Sequence, residues 1–107
     1  MKKHRFRTDG CASNNDLDMF SEMRTAAQLG KAVAQDATAV PANAALAMAT
    51  INGAKAMGLD ADIGSLEVGK FADLCAVDLG SINSIPLYDV ISQLVYSTQA
   101  SQVSHVW

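Results

Sequence analysis

Met19, Met23, Ala26, Ala27, Gly30, Val33 and Ala34 recur with partners three and four residues away, the repeat of a helix that buries one face. A strand would need strict alternation, so this stretch is an amphipathic helix, and the rest of the chain must supply a surface for its apolar side. Just before it, Cys11-Ala12-Ser13-Asn14-Asn15-Asp16 is rich in residues that form turns and caps. Asn15 as the cap, with Asp18 three residues on, would satisfy orphan N–H groups and place negative charge at the positive end of the helix. The helix is therefore expected from near Asp16 to near Gln35.

Pro41 opens a second helical segment, because Ala44, Ala45, Leu46, Met48 and Ala49 have high helix propensity and proline is tolerated in a first turn. Thr50 is expected to cap a short continuation, Ile51 to Met57, which Gly58 ends in the left-handed conformation. From Ile63 the pattern changes. Gly64-Ser65-Leu66-Glu67-Val68-Gly69-Lys70 holds a glycine-marked turn, and Ala72 to Asp78 is apolar at nearly every position, as in a strand covered on both faces. Gly80 to Pro86 reads as a loop, Tyr88 to Thr98 places Val90, Ile91, Leu94 and Val95 on one helical face, and Val103 to Trp107 resumes a strand pattern. The predicted class is α+β, with helices near 16–35, 41–57 and 88–98 and strands near 72–78 and 102–107.

With 107 residues, half of them hydrophobic, the chain suffices for one domain with a modest core. No apolar run approaches the roughly 18 residues of a spanning helix. The leader Met1 to Arg7 has a basic start, but polar Thr8-Asp9-Gly10 stands where a signal peptide needs its apolar stretch, so export is not expected. Cys11 and Cys75 are far apart without a CxxC spacing and read as reduced thiols of a cytoplasmic protein. Cys75, in an apolar strand, reads as a small core residue. Four of the eight Lys and Arg lie in the first seven residues, leaving four cations against eleven anions, net −7, in the remainder. An acidic body without aromatic interleaving gives nucleic acid little to bind, and the basic leader is expected to be a solvated tail.

Several motifs form a set. Thr8-Asp9-Gly10-x-Ala12-Ser13-Asn14-Asn15-x-x-Asp18-Met19 is followed by Ala49-Thr50-x-Asn52-Gly53-Ala54 and by Ile63-Gly64-Ser65-Leu66-Glu67-x-Gly69-Lys70-x-Ala72-Asp73-Leu74. Tyr88-Asp89-x-x-x-Gln93-Leu94-Val95-Tyr96 and Val103-Ser104-His105-Val106-Trp107 complete it. In order and spacing they resemble the C-terminal third of metal-dependent amidohydrolases, in the branch of the 5-methylthioadenosine and S-adenosylhomocysteine deaminases and the triazine chlorohydrolases. The resemblance implies a remnant of a (β/α)₈ barrel joined to part of a small β-sandwich. It divides the chain into a basic leader foreign to the family, residues 1–7, a helical barrel remnant, residues 8–62, and a partial β domain with one helix, residues 63–107.

The resemblance also implies roles for Asp9: ligating a single divalent metal, zinc or iron in the parent family, and shuttling the proton of the water that the metal activates. On its own, Asp9-Gly10 would read as a turn. Ser13, Asn14 and Asn15 are assigned to helix capping. The family's His-x-His pair and later histidine have no counterpart here; the only histidines are His4 and His105. His4, Asp9 and Cys11 match no ligand spacing, so no cofactor is expected in this chain, and both histidines read as ordinary side chains. The expected function is thus that of an amidohydrolase fragment without activity of its own. The alternatives are a small homo-oligomeric assembly protein, most simply a homodimer, in which orphaned apolar faces cover one another, and a deaminase completed by another chain.

Overall fold

A computed structural model describes residues 5–107. Four helices carry the core: α1 (Met19–Ala34), α2 (Ala42–Ala49), α3 (Ile51–Met57) and α4 (Val90–Tyr96). Beside them lies a two-stranded sheet of β1 (Cys75–Val77) and β2 (Val103–Val106). The α+β class agrees with the sequence reading.

The apolar stripe of α1 buries Met23 and Ala27 against Ala45 of α2 and Val95 of α4, with Phe6, Phe20, Val40, Leu46 and Tyr96 packed around them. Alanine at two of these four central positions lets the backbones approach closely. Phe6 is half-buried against this cluster and its N–H donates to the carbonyl of Met48 at 3.4 Å. The end of the leader therefore lies along α2, where a solvated tail was expected; its apolar ring gains more by burial than in water.

Lys31 ties three elements together. Its Nζ donates to the carbonyl of Val40 at 2.8 Å and to the hydroxyl of Tyr96 at 2.8 Å, and it lies in the last turn of α1, where a cation offsets the negative helix end. The helix ends at Gln35, in the left-handed region at φ 50°.

The start of α1 corrects the sequence reading. The cap is Asp18, whose carboxylate accepts from the Phe20 N–H at 2.8 Å, and the helix begins at Met19 instead of Asp16. Asn15 and Asp18 are both good caps; the apolar periodicity starts at Met19, and the residue directly before it takes the role. Thr50 also differs. It interrupts the second helical segment between α2 and α3, but its hydroxyl donates back to the Leu46 carbonyl at 2.8 Å and caps no N–H group. Gly58 ends α3 at φ 72°, as expected for a position that a side chain would strain.

The predicted strand over 72–78 shrinks to Cys75–Val77, and Cys75 is exposed, not a core residue. The run is apolar enough for a strand with neighbours on both sides, yet among the described residues β1 pairs with β2 alone. That pairing is antiparallel, Cys75 opposite Val106 and Ala76 opposite His105, with an irregularity before Val77. The predicted helix over 88–98 is shorter at both ends, running from the Asp89 cap, which accepts from the Ser92 N–H at 2.7 Å, to Tyr96.

Between these parts, residues 58–71 form a compact loop organised by Lys70. Its ammonium donates to the Asp60 carbonyl at 2.6 Å and to the Ser65 hydroxyl at 2.7 Å, with Glu67 at 3.7 Å. Ser65 and, next, the charge of Lys70 hold the Glu67 carboxyl below its ordinary range.

Candidate functional site

Asp9 is exposed and stands directly before the turn that joins the leader to α1. Its backbone is in the left-handed region at φ 62°, uncommon for a residue with a side chain but several-fold more accessible to aspartate than to most others. Two backbone bonds close the turn: the N–H groups of Ser13 and Asn14 both donate to the Gly10 carbonyl, at 2.9 and 3.1 Å. The hydrogen-bonded turn thus starts at Gly10, and Asp9 stands directly before it.

Asn14 locks that turn to α1. Its Nδ2 donates to the Thr8 carbonyl at 2.9 Å and to the Glu22 carboxylate at 2.8 Å, while its Oδ1 accepts from the Asp16 N–H at 3.0 Å. Capping was the role assigned to Asn14 from sequence; the structure gives it a tertiary one. The signal that could have revealed it is the spacing of Asn14 and Glu22 across the cap, which puts an amide and a first-turn carboxylate on the same side of the helix start.

The Asp9 carboxylate accepts no hydrogen bond from any described residue. It is free to take a proton or to ligate a cation, but a closed or catalytic zinc site takes at least three protein ligands. Among the described residues no group of three His, Cys, Asp or Glu side chains is placed to hold a metal ion. The residues present thus do not fit the metal implied by the resemblance, beyond the one ligand Asp9 could offer. His4 lies outside the described residues. Cys11 is exposed. His105 is exposed on β2, its ring stacked on Trp107 with centroids 5.6 Å apart. The structure brings neither Cys11 nor His105 to Asp9 as a group able to hold a metal ion.

An open apolar cleft of about 280 Å³ is lined by Met19, Phe20 and Met23 of α1, Leu46 and Ala49 of α2, Thr50, Cys75 and Val77 of β1, and Leu94 of α4, with no residue of the 8–14 segment among them. Its walls are almost wholly hydrocarbon, so it offers surface to a packed side chain rather than to a polar substrate. Among the described residues no helix is long and apolar enough to cross a membrane.

The sequence model of the amidohydrolase family matches residues 4–107, and the chain belongs to that family. Its similarity is to deaminases within it. A 5-methylthioadenosine/S-adenosylhomocysteine deaminase of Teredinibacter turnerae is 55% identical over 100 residues, which cover 94% of this chain and 23% of the relative. A 5'-deoxyadenosine deaminase of Methanosarcina barkeri is 52% identical over 96 residues, 90% of this chain and 22% of the relative. Among solved structures, an adenosine deaminase from Xanthomonas campestris with bound zinc superposes with a TM-score of 0.89 at 59% identity, over 92% of this chain and 22% of that one. The chain thus spans somewhat less than a quarter of the length of the relatives it matches.

Proposed function

We propose that this chain supplies the C-terminal portion of a metal-dependent aminohydrolase acting on adenosine-type nucleosides, with Asp9 as the carboxylate that takes and returns a proton, and that by itself it deaminates nothing. In this reading the helices of residues 8–62 are the end of a (β/α)₈ barrel and residues 63–107 are part of the small β domain. The observation that supports it most is the 0.89 superposition on a zinc-bound adenosine deaminase, of which only 22% is matched. The same backbone is kept, while the single carboxylate present falls short of a metal site. Deamination is favoured over dechlorination because the named relatives are deaminases of 5-methylthioadenosine, S-adenosylhomocysteine or 5'-deoxyadenosine.

The test is a comparison of two proteins with adenosine, 5'-deoxyadenosine and 5-methylthioadenosine in the presence of zinc. The chain alone is expected to give no turnover. The Xanthomonas deaminase carrying residues 8–107 of this chain in place of its matching segment is expected to deaminate. Turnover by the chain alone, or a folded, zinc-loaded chimera without activity, contradicts the proposal.

A second reading, self-association as a homodimer, is supported by the surface. The chain exposes 7422 Å², whereas a monomer of 11.3 kDa is expected to expose about 5,700 Å². Leu66, Val68, Phe71, Ile82 and Tyr88 are among the large apolar side chains left in water. The excess, about 1,700 Å², is of the order that a protein–protein interface buries over both partners together, about 1,200–2,000 Å². Sedimentation equilibrium at micromolar concentration is expected to give twice the chain mass; a stable monomer of 11.3 kDa removes this reading.

A further inference from the structure

Asn14 makes three side-chain hydrogen bonds within one short stretch: one holds the backbone next to Asp9, and the other two anchor the amide itself. The bond from Nδ2 to the Thr8 carbonyl, 2.9 Å, engages the peptide group immediately before Asp9. The second Nδ2 proton goes to Glu22 at 2.8 Å, which anchors the amide to the first turn of α1. The acceptor side is used as well, by the Asp16 N–H at 3.0 Å. An amide has two donor protons and one carbonyl oxygen, so Asn14 is engaged on every group it has. The Thr8 hydroxyl adds a bond to the Asp9 carbonyl at 3.2 Å.

The conformation so held is one that the chain would not adopt unaided. An L-residue at φ 62° is disfavoured relative to the right-handed or extended regions, and such a backbone persists only where its surroundings over-determine it. The bonds doing so here all lie within residues 8–22.

We propose that Asn14, anchored by Glu22, is the positioning residue that fixes the orientation of Asp9. The inference rests on the reading of Asp9 as the proton-carrying carboxylate and adds to it the device that presets its direction. Any side chain at position 14 that lacks an N–H donor releases the Thr8 carbonyl and lets Asp9 relax to negative φ. Replacing Glu22 by glutamine leaves an acceptor oxygen in place and preserves the clamp; replacing it by alanine does not.

The experiment is solution NMR on the full 107-residue chain, isotope-labelled, reading the one-bond Cα–Hα coupling and the intraresidue HN–Hα cross-peak of Asp9, which mark positive φ, with amide exchange at Ser13 and Asn14. The parent chain and Glu22→Gln are expected to show positive φ at Asp9 and slowed exchange. Asn14→Ala and Asn14→Asp are expected to lose the signature and to exchange about tenfold faster at Ser13 and at position 14, roughly the loss of one net hydrogen bond. Amides of α2 and α4 should stay where they are. Asn14→Asp keeps an acceptor for the Asp16 N–H but loses the donor and sets a second carboxylate against Glu22, so it is also made in the Glu22→Gln background, where that repulsion is removed and only the bond to the Thr8 carbonyl is missing. Retention of positive φ in Asn14→Asp, negative φ in the parent, or a collapse of the α2 and α4 resonances in place of a local change would each overturn the proposal. Because this reads conformation and not turnover, its failure leaves the chemical role of Asp9 standing, and an active Asp9→Asn enzyme would leave the clamp standing.

Discussion

Gly64→Ala is predicted to destabilise the chain severely, for two separable reasons. The glycine lies at φ 91°, where a side chain costs about 1–2 kcal/mol. A β-carbon there would also stand 2.7 Å from the Ala54 Cβ, 3.0 Å from the Ile51 Cα and 3.3 Å from the Ile51 Cδ1. Ala54 is buried and the Ile51 contact is backbone, so α3 cannot yield cheaply, and overpacking of this kind costs about 1–3 kcal/mol more. The sum, about 2–5 kcal/mol, is a large part of the roughly 5–15 kcal/mol that holds a small domain folded. With a urea slope of about 1–3 kcal/mol/M, the midpoint followed by circular dichroism should fall by about 2 M without a change of slope. A double-mutant cycle divides the cost. Ala54→Gly removes the 2.7 Å contact only, so in that background Gly64→Ala should cost about 1 kcal/mol less, while the Ile51 contact and the backbone strain remain. A midpoint within about 0.3 M of the parent, or an undiminished cost of Gly64→Ala in the Ala54→Gly background, would refute the packing of the 58–71 loop on α3.

Two further outcomes follow from side-chain carboxylates that accept local hydrogen bonds. Asp18→Ala should cost about 1 kcal/mol by the urea midpoint and Asn15→Ala close to nothing, because the Asp18 carboxylate and no other accepts the Phe20 N–H; equal losses would contradict the assigned cap. Acid should weaken the fold through Asp36, Glu67 and Asp89, whose carboxyls are held below their ordinary values of 3.8, 4.5 and 3.8 chiefly by bonds from Thr38, Ser65 and Ser92. A depressed folded-state pKa stabilises fully above the ordinary value and is lost as pH falls through the folded one, so the urea midpoint should drop as pH is lowered below 4.5, and less steeply in Asp89→Asn; an unchanged midpoint down through that range would contradict it.

The helices were legible in the sequence because their signals are local. The spacing from Met19 to Ala34 gave α1, and Gly58 marked the end of α3. The boundary errors arose where two residues could serve one role, as Asn15 and Asp18 could for the cap. The sheet was less legible. Ala72 to Asp78 carries the composition of a strand with neighbours on both sides, but a strand exists only where hydrogen-bond partners lie beside it, and periodicity says nothing about which partners are at hand. Cys75 was misjudged for that reason. At the candidate site, Asp9 was found through its place in an ordered set of motifs and not through its own chemistry, since Asp-Gly alone signals a turn. Asn14 was read as a cap because its short-range options are many; its bond to Glu22 depends on how the turn folds back over α1.

The central claim is that Asp9 is the proton-carrying carboxylate of a deaminase active site whose other functional groups lie outside this chain. It is tested most directly by Asp9→Asn in the chimera that carries residues 8–107, assayed by steady-state deamination of 5'-deoxyadenosine. Asparagine keeps the size and tolerates the left-handed backbone of this position, so the turn should persist. Loss of a positioned acid/base group costs about 10²–10⁴-fold, so kcat is predicted to fall by that factor with KM little changed. A variant whose kcat stays within a few-fold of the unsubstituted chimera would contradict the account.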